Sequence, residues 1–164
     1  MFWMVSVLLV RRLDTVIISV IGHIADATAD HVSRHLPIII REFLREAFAD
    51  KSIGLITPTF ISELLSRSMT SLDEAIANDV LNLFPGGLES LSTYSEEEIR
   101  QKINDVDAGG VNYEKVRLCM YGTTALVALV DPDHNNLWLA NLGDSQAGLP
   151  CYITCRVSLT NIVQ

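Results

Sequence analysis

The chain has 164 residues, 49% of them apolar and 20% charged, with a formal net charge of −8. That length holds about one domain, and a mean hydropathy of +0.29 excludes a disordered tail, which needs few apolar residues and many charges. The acidic balance, with a pI of about 4.8, counts against a nucleic-acid partner, because phosphate binding leans on Lys and Arg.

Met1 to Val10 is apolar except for Ser6, and Arg11-Arg12 follows. A signal peptide carries its positive charge ahead of the apolar stretch, not after it. A spanning helix needs about 20 apolar residues, and Arg11, Arg12 and Asp14 interrupt first. The segment reads as two buried strands, Val5–Val10 and Val16–Val20, with a short membrane anchor as the alternative. Asp26 suits an N-cap, since its carboxylate can accept from the free amides of a first turn. Pro37 lacks an amide hydrogen and clashes with the preceding turn. A helix over 27–36 is therefore expected, then a second helix or a kinked continuation over 37–49.

Thr57-Pro58 is another start signal. Ile61, Leu64, Leu65, Met69, Leu72, Ile76, Val80 and Leu83 then recur at the helical period, and Pro85-Gly86-Gly87 ends the run. Ser95 and Glu98 have capping-box spacing, so a short polar helix is expected over 96–104. Asp107-Ala108-Gly109-Gly110 reads as a loop. Thr123–Val130 is a β-favouring run of the kind covered on both faces. After the turn at 131–136, Leu137–Leu142 completes a hairpin.

Several residues are candidates for chemistry. Gly143-Asp144 follows a strand end, where glycine lets the chain turn and presents the carboxylate. Such an aspartate can bind a hard cation or simply close a turn through its own backbone. Gly22-His23 likewise lies between a strand and a helix, and His23 can act as an acid or base or bond a nearby carbonyl. His31 and His35 share a helix face, but Val32 stands where a zinc protease needs glutamate, so they read as surface or boundary residues. Cys151 and Cys155 would lie about 13 Å apart on a strand, too far to pair without a turn between them. Ser145 has no His/Asp framework around it. Three cysteines, an odd and small number, point to a reducing compartment.

Two segments together carry a resemblance. Gly122-Thr123-Thr124-Ala125, the strand that follows, and Asn141-Leu142-Gly143-Asp144-Ser145-Gln146-Ala147 resemble the central hairpin of the type 2C, metal-dependent protein serine/threonine phosphatases. Val20-Ile21-Gly22-His23-Ile24-Ala25 resembles that family's V-F-D-G-H-x-G segment. The resemblance implies a β-sandwich whose carboxylates hold two Mg or Mn ions, with a metal-activated water attacking phosphorus. It implies a metal-binding carbonyl at Gly22, a proton donor for the leaving group at His23, and a ligand of a further metal at Asp144. It departs at Ile21, which stands where the family has its metal-bridging aspartate. The upstream Glu-Asp pair and the phosphate-binding arginine have no counterpart, and the segment after Ala147 does not continue the pattern.

The expected fold is α+β: a partial phosphatase-type β-sandwich, with strands at both ends of the chain and a central group of antiparallel helices. The expected organisation is a truncated phosphatase-like domain over 1–147 and a divergent tail over 148–164. The expected function is that of the family with catalysis lost, since Ile21 supplies no metal ligand. The alternatives are a non-catalytic interaction module and a non-functional fragment. A tail that pairs with the hairpin would speak for a real fold. The expected partner is a phosphoprotein or another protein, not nucleic acid and not a membrane. Helices over 27–83 are expected to expose an apolar surface through which the chain self-associates. The expected compartment is intracellular, the cytoplasm or the mitochondrion.

Overall fold

A computed structural model describes the backbone of residues 3–10, 13–21, 26–49, 57–130, 135–146 and 156–162, with side chains over 27–49, 57–107, 109–130 and 135–146. The elements run β1 (Trp3–Val10), β2 (Leu13–Ile21), α1 (Asp26–Ala49), α2 (Pro58–Leu81), α3 (Gly87–Leu91), α4 (Glu96–Ile103), a 3-10 turn at Val106–Ala108, α5 (Val111–Met120), β3 (Thr124–Val130), β4 (Asn136–Leu142) and β5 (Arg156–Ile162). The class is α+β, with strands at both ends of the chain and the helices between them. The five strands form one sheet in chain order. β1, β2, β3 and β4 pair antiparallel, and β5 adds parallel to β4. All the helices are thus inserted between β2 and β3, which are neighbours in the sheet.

α1 runs unbroken through Pro37 instead of stopping there. Proline removes one helical hydrogen bond and typically costs about 3 kcal/mol. Here Leu36 and Pro37 are buried, and so are Ile40 and Leu44 in the next two turns. Each large buried side chain contributes about 1.5–3 kcal/mol, which offsets the lost bond. α2 opens as its sequence dictates: Thr57 Oγ1 accepts the Phe60 amide at 3.2 Å, and Pro58 follows at the first helical position. Ile61, Leu64, Leu65, Ser68, Met69 and Leu72 form its buried stripe. Ser68 is tolerated there because its hydroxyl donates to the Leu64 carbonyl at 2.8 Å.

α4 starts with the expected capping box. Glu98 N donates to Ser95 Oγ at 3.3 Å, and Ser95 N donates to the Glu98 carboxylate at 2.8 Å. The Ser95 amide first, and then the Ser95 hydroxyl, which donates to the same carboxylate at 2.8 Å, hold the Glu98 carboxyl below the usual range. α3 and α5 have no counterpart in the sequence reading. Gly110 precedes α5 and has no side chain to cap it. The cap comes instead from Asp105, whose carboxylate accepts Asn112 N at 2.9 Å and Tyr113 N at 3.1 Å. Those amides, Asn112 first, lower its pKa.

α1 and α2 pack on each other and on the sheet. Leu36, Ile40, Leu44, Ile61 and Leu65 join Val127, Leu129, Trp138 and Ala140 in one buried cluster. The helices therefore turn their apolar faces into the core and do not offer them as an exposed surface. β3 is covered on one face only, since its burial alternates residue by residue. The continuous apolar run does not mean burial on both faces here. Among the described residues no helix is long and apolar enough to cross a membrane.

Candidate functional site

Sheet register decides which distant residues meet. β2 ends at Ile21, which pairs with Thr124, the first residue of β3. Ala125 pairs in turn with Leu142, the last residue of β4. Neighbouring strands lie about 4.8 Å apart. The segment leaving β2 and the segment leaving β4, some 120 positions apart in sequence, thus emerge two strands apart at one end of the sheet. Gly22 and His23 lie outside the described residues, as do Cys151 and Cys155. Their backbone exit, Ile21, is fixed by the register.

The turn after β4 is tightly built. Gly143 adopts φ +92°, a left-handed conformation that side chains disfavour. A Cβ there would also stand 2.6 Å from Cγ2 of Thr124, so β3 and the turn touch backbone to side chain. The Thr124 and Ser145 hydroxyls bond each other at 2.9 Å, and Asn141 Nδ2 donates to the Gly143 carbonyl at 2.9 Å. Three polar side chains thus hold the loop that carries Asp144, which is exposed. Ser145 is a tie between strand and turn, not a nucleophile. Asn141 Oδ1 is buried and has no hydrogen-bond partner.

No family model, curated protein or solved structure matches this chain. What the site can do must therefore be argued from its own atoms. Mg²⁺ and Mn²⁺ want about six oxygen ligands, carboxylates among them. The described residues at this end offer the Asp144 carboxylate and the free Asn141 Oδ1. Ile21 holds the strand-end position beside them, and an aliphatic side chain has neither charge nor a lone pair. This set does not fit a two-ion centre. Among the described residues no three His, Cys, Asp or Glu side chains gather into a metal-holding group.

His31 and His35 stack with ring centroids 4.0 Å apart, and His35 Nδ1 lies 2.8 Å from the His31 carbonyl. Burial, followed by the neighbouring His35, lowers the His31 pKa. They are boundary residues of α1, as the sequence suggests. Sequence reasoning missed Thr124 and Asn141. Both sit inside the motif that carries the resemblance, but only the sheet register shows that they fasten its turn.

Proposed function

We propose that this chain is a domain of the type 2C, metal-dependent protein serine/threonine phosphatase kind that has lost hydrolysis and acts by binding protein. The observation that carries the reading is the convergence of Ile21 with Gly143-Asp144 at one sheet end. A metal-dependent phosphatase needs carboxylates from separate strands at one place, because two divalent ions must flank one water and one phosphate. The register puts the ends of β2 and β4, from which the two motif segments leave the sheet, two strands apart, and this supports the reading. Helices cover one face of the sheet, and the other face carries Leu126, Ala128, Leu137 and Leu139 only half-buried. That arrangement suits one half of a β-sandwich. β5, drawn from the segment after Ala147, pairs with β4 along its length, which favours a genuine fold over a fragment with an alien tail.

Ile21 is the reason for the loss of hydrolysis. Without a bridging carboxylate, nothing among the described residues at that strand end holds two cations at a fixed spacing. Phosphoprotein is the expected partner class, and a reducing compartment suits the exposed free thiol of Cys119.

The test is calorimetric titration with Mn²⁺ and Mg²⁺ beside a phosphopeptide assay in the same buffer. Native protein should bind neither ion tightly and release no phosphate. Ile21→Asp should raise Mn²⁺ affinity at least tenfold, and Asp144→Ala in that background should abolish the gain. An Ile21→Asp chain that folds and gains nothing would sink the family reading. Mn²⁺-dependent phosphate release by the native chain, lost in His23→Ala, would keep the family and overturn the loss of hydrolysis.

A further inference from the structure

On the helical side of the sheet, α1, α2 and α5 leave a cavity of about 560 Å³. That volume is in the range of small-molecule sites, about 300–1,000 Å³. Val32 and Leu36 of α1, Met69 and Leu72 of α2, and Ala125 and Leu142 of the sheet give it an apolar lining. Among the described lining residues, Thr28, Asp73, Cys119, Tyr121 and Thr123 break that pattern, and the first three carry the argument. Thr28 is 3% exposed, and its Oγ1 has no hydrogen-bond partner. A buried hydroxyl left unpaired is destabilising, so its persistence on a cavity wall points to a missing partner. Asp73 is exposed and is the sole charged residue among those lining the cavity. Cys119, an exposed free thiol, belongs to the same lining.

We propose that this cavity binds a small aliphatic amine. The alkyl chain lies along the apolar lining, where each buried methylene adds to the affinity. Two of the polar lining groups are acceptors for the head: Thr28 Oγ1 has free lone pairs and Asp73 is a carboxylate. An ammonium is a donor with no acceptor capacity, which matches both. A carboxylate head would meet Asp73 as a like charge, and no basic residue among the described ones lines the cavity to oppose that repulsion. The apolar wall and Asp73 lie on the helical side of the sheet, and the cavity reaches the sheet end at Thr123 and Gly143.

Three eight-carbon probes that differ only in their heads test the proposal: octylammonium, octanol and octanoate. Occupancy is read from the rate at which iodoacetamide alkylates Cys119, followed by peptide mass mapping, and from the melting temperature. Octylammonium should slow Cys119 alkylation severalfold and raise the Tm. Octanol should do so more weakly, and octanoate not at all. Asp73→Asn should bring octylammonium down to the level of octanol. Thr28→Val should weaken both probes while raising the Tm of the unliganded chain, since it removes an unsatisfied hydroxyl. Asp73→Asn alters one exposed side chain and so leaves a readable protein even if Thr28→Val does not fold. Equal protection by all three probes, or none by octylammonium, would overturn the proposal, as would an unchanged preference in Asp73→Asn.

Discussion

The two faces of β3 are built from the same kinds of residue and meet different fates. Ala125, Val127 and Leu129 are wholly buried beneath α1 and α2. Leu126, Ala128 and Val130 alternate with them and remain half-exposed. On β4, Trp138 and Ala140 are buried, whereas Leu137, Leu139 and Asn141 are not. An antiparallel sheet with one open face normally shows polar residues on it. Here the open face of β3 and β4 carries no charge. Hydrophobicity alone therefore does not say which face of these strands is core. The helices between β2 and β3 decide it by landing on one side.

The harshest way to break the comparison is to charge each face in turn. Val127→Asp puts an unpaired carboxylate among Leu36, Ile40 and Leu65, and removes several kcal/mol from a domain that has about 5–15 to lose. It should abolish the folded circular dichroism signal. Ala128→Asp, one residue on, should leave that signal intact and move the urea midpoint little. A folded Val127→Asp chain would overturn the assignment of the core face.

Truncation measures the same contrast more gently. Leu129→Ala should cost about 2–5 kcal/mol in urea unfolding, the range for a fully buried leucine. Leu126→Ala should cost about 1 kcal/mol, since its side chain is only partly buried. Equal losses would mean that something covers the open face in solution.

At the sheet end, Gly143→Ala sharpens the picture of the tight turn. Left-handed strain and the clash with Thr124 Cγ2 should together cost about 1–3 kcal/mol. Thr124→Ser keeps the hydroxyl that bonds Ser145 but removes that methyl. The double variant should recover part of the loss. No recovery would mean that backbone conformation alone is responsible.

The smallest effect is expected at Asp105, far from either face. Its carboxyl pKa is depressed by the α5 amides, so its stabilisation is full above the usual carboxylate value of about 3.9. It is lost as pH falls through the depressed value. Asp105→Asn should flatten that acid limb of the stability curve and speed amide exchange at Asn112 and Tyr113. An unchanged limb would show that the cap contributes nothing measurable.

Local signals in the sequence determined much of this. The caps at Thr57 and Ser95 and the apolar period of α2 depend on contacts within a few residues, which spacing alone reports, and the hairpin at 123–142 showed as two β-favouring runs on either side of a turn. α5 escaped notice because its cap lies at Asp105, five residues before the Gly110 that opens it, and Gly110 itself gives no signal. Pro37 left both a second helix and a continuation open because its local cost is real, and burial on either side of it carries one helix through. The candidate site was half legible. Gly143-Asp144 and Ile21 stand out as residues, yet their meeting rests on β2 pairing with β3 across about 100 intervening positions. Only tertiary structure decided that pairing, the single covered face and the cavity lined by Thr28, Asp73 and Cys119. The physical reason is that strand register and helix docking are set by long-range burial, whose partners no local window contains.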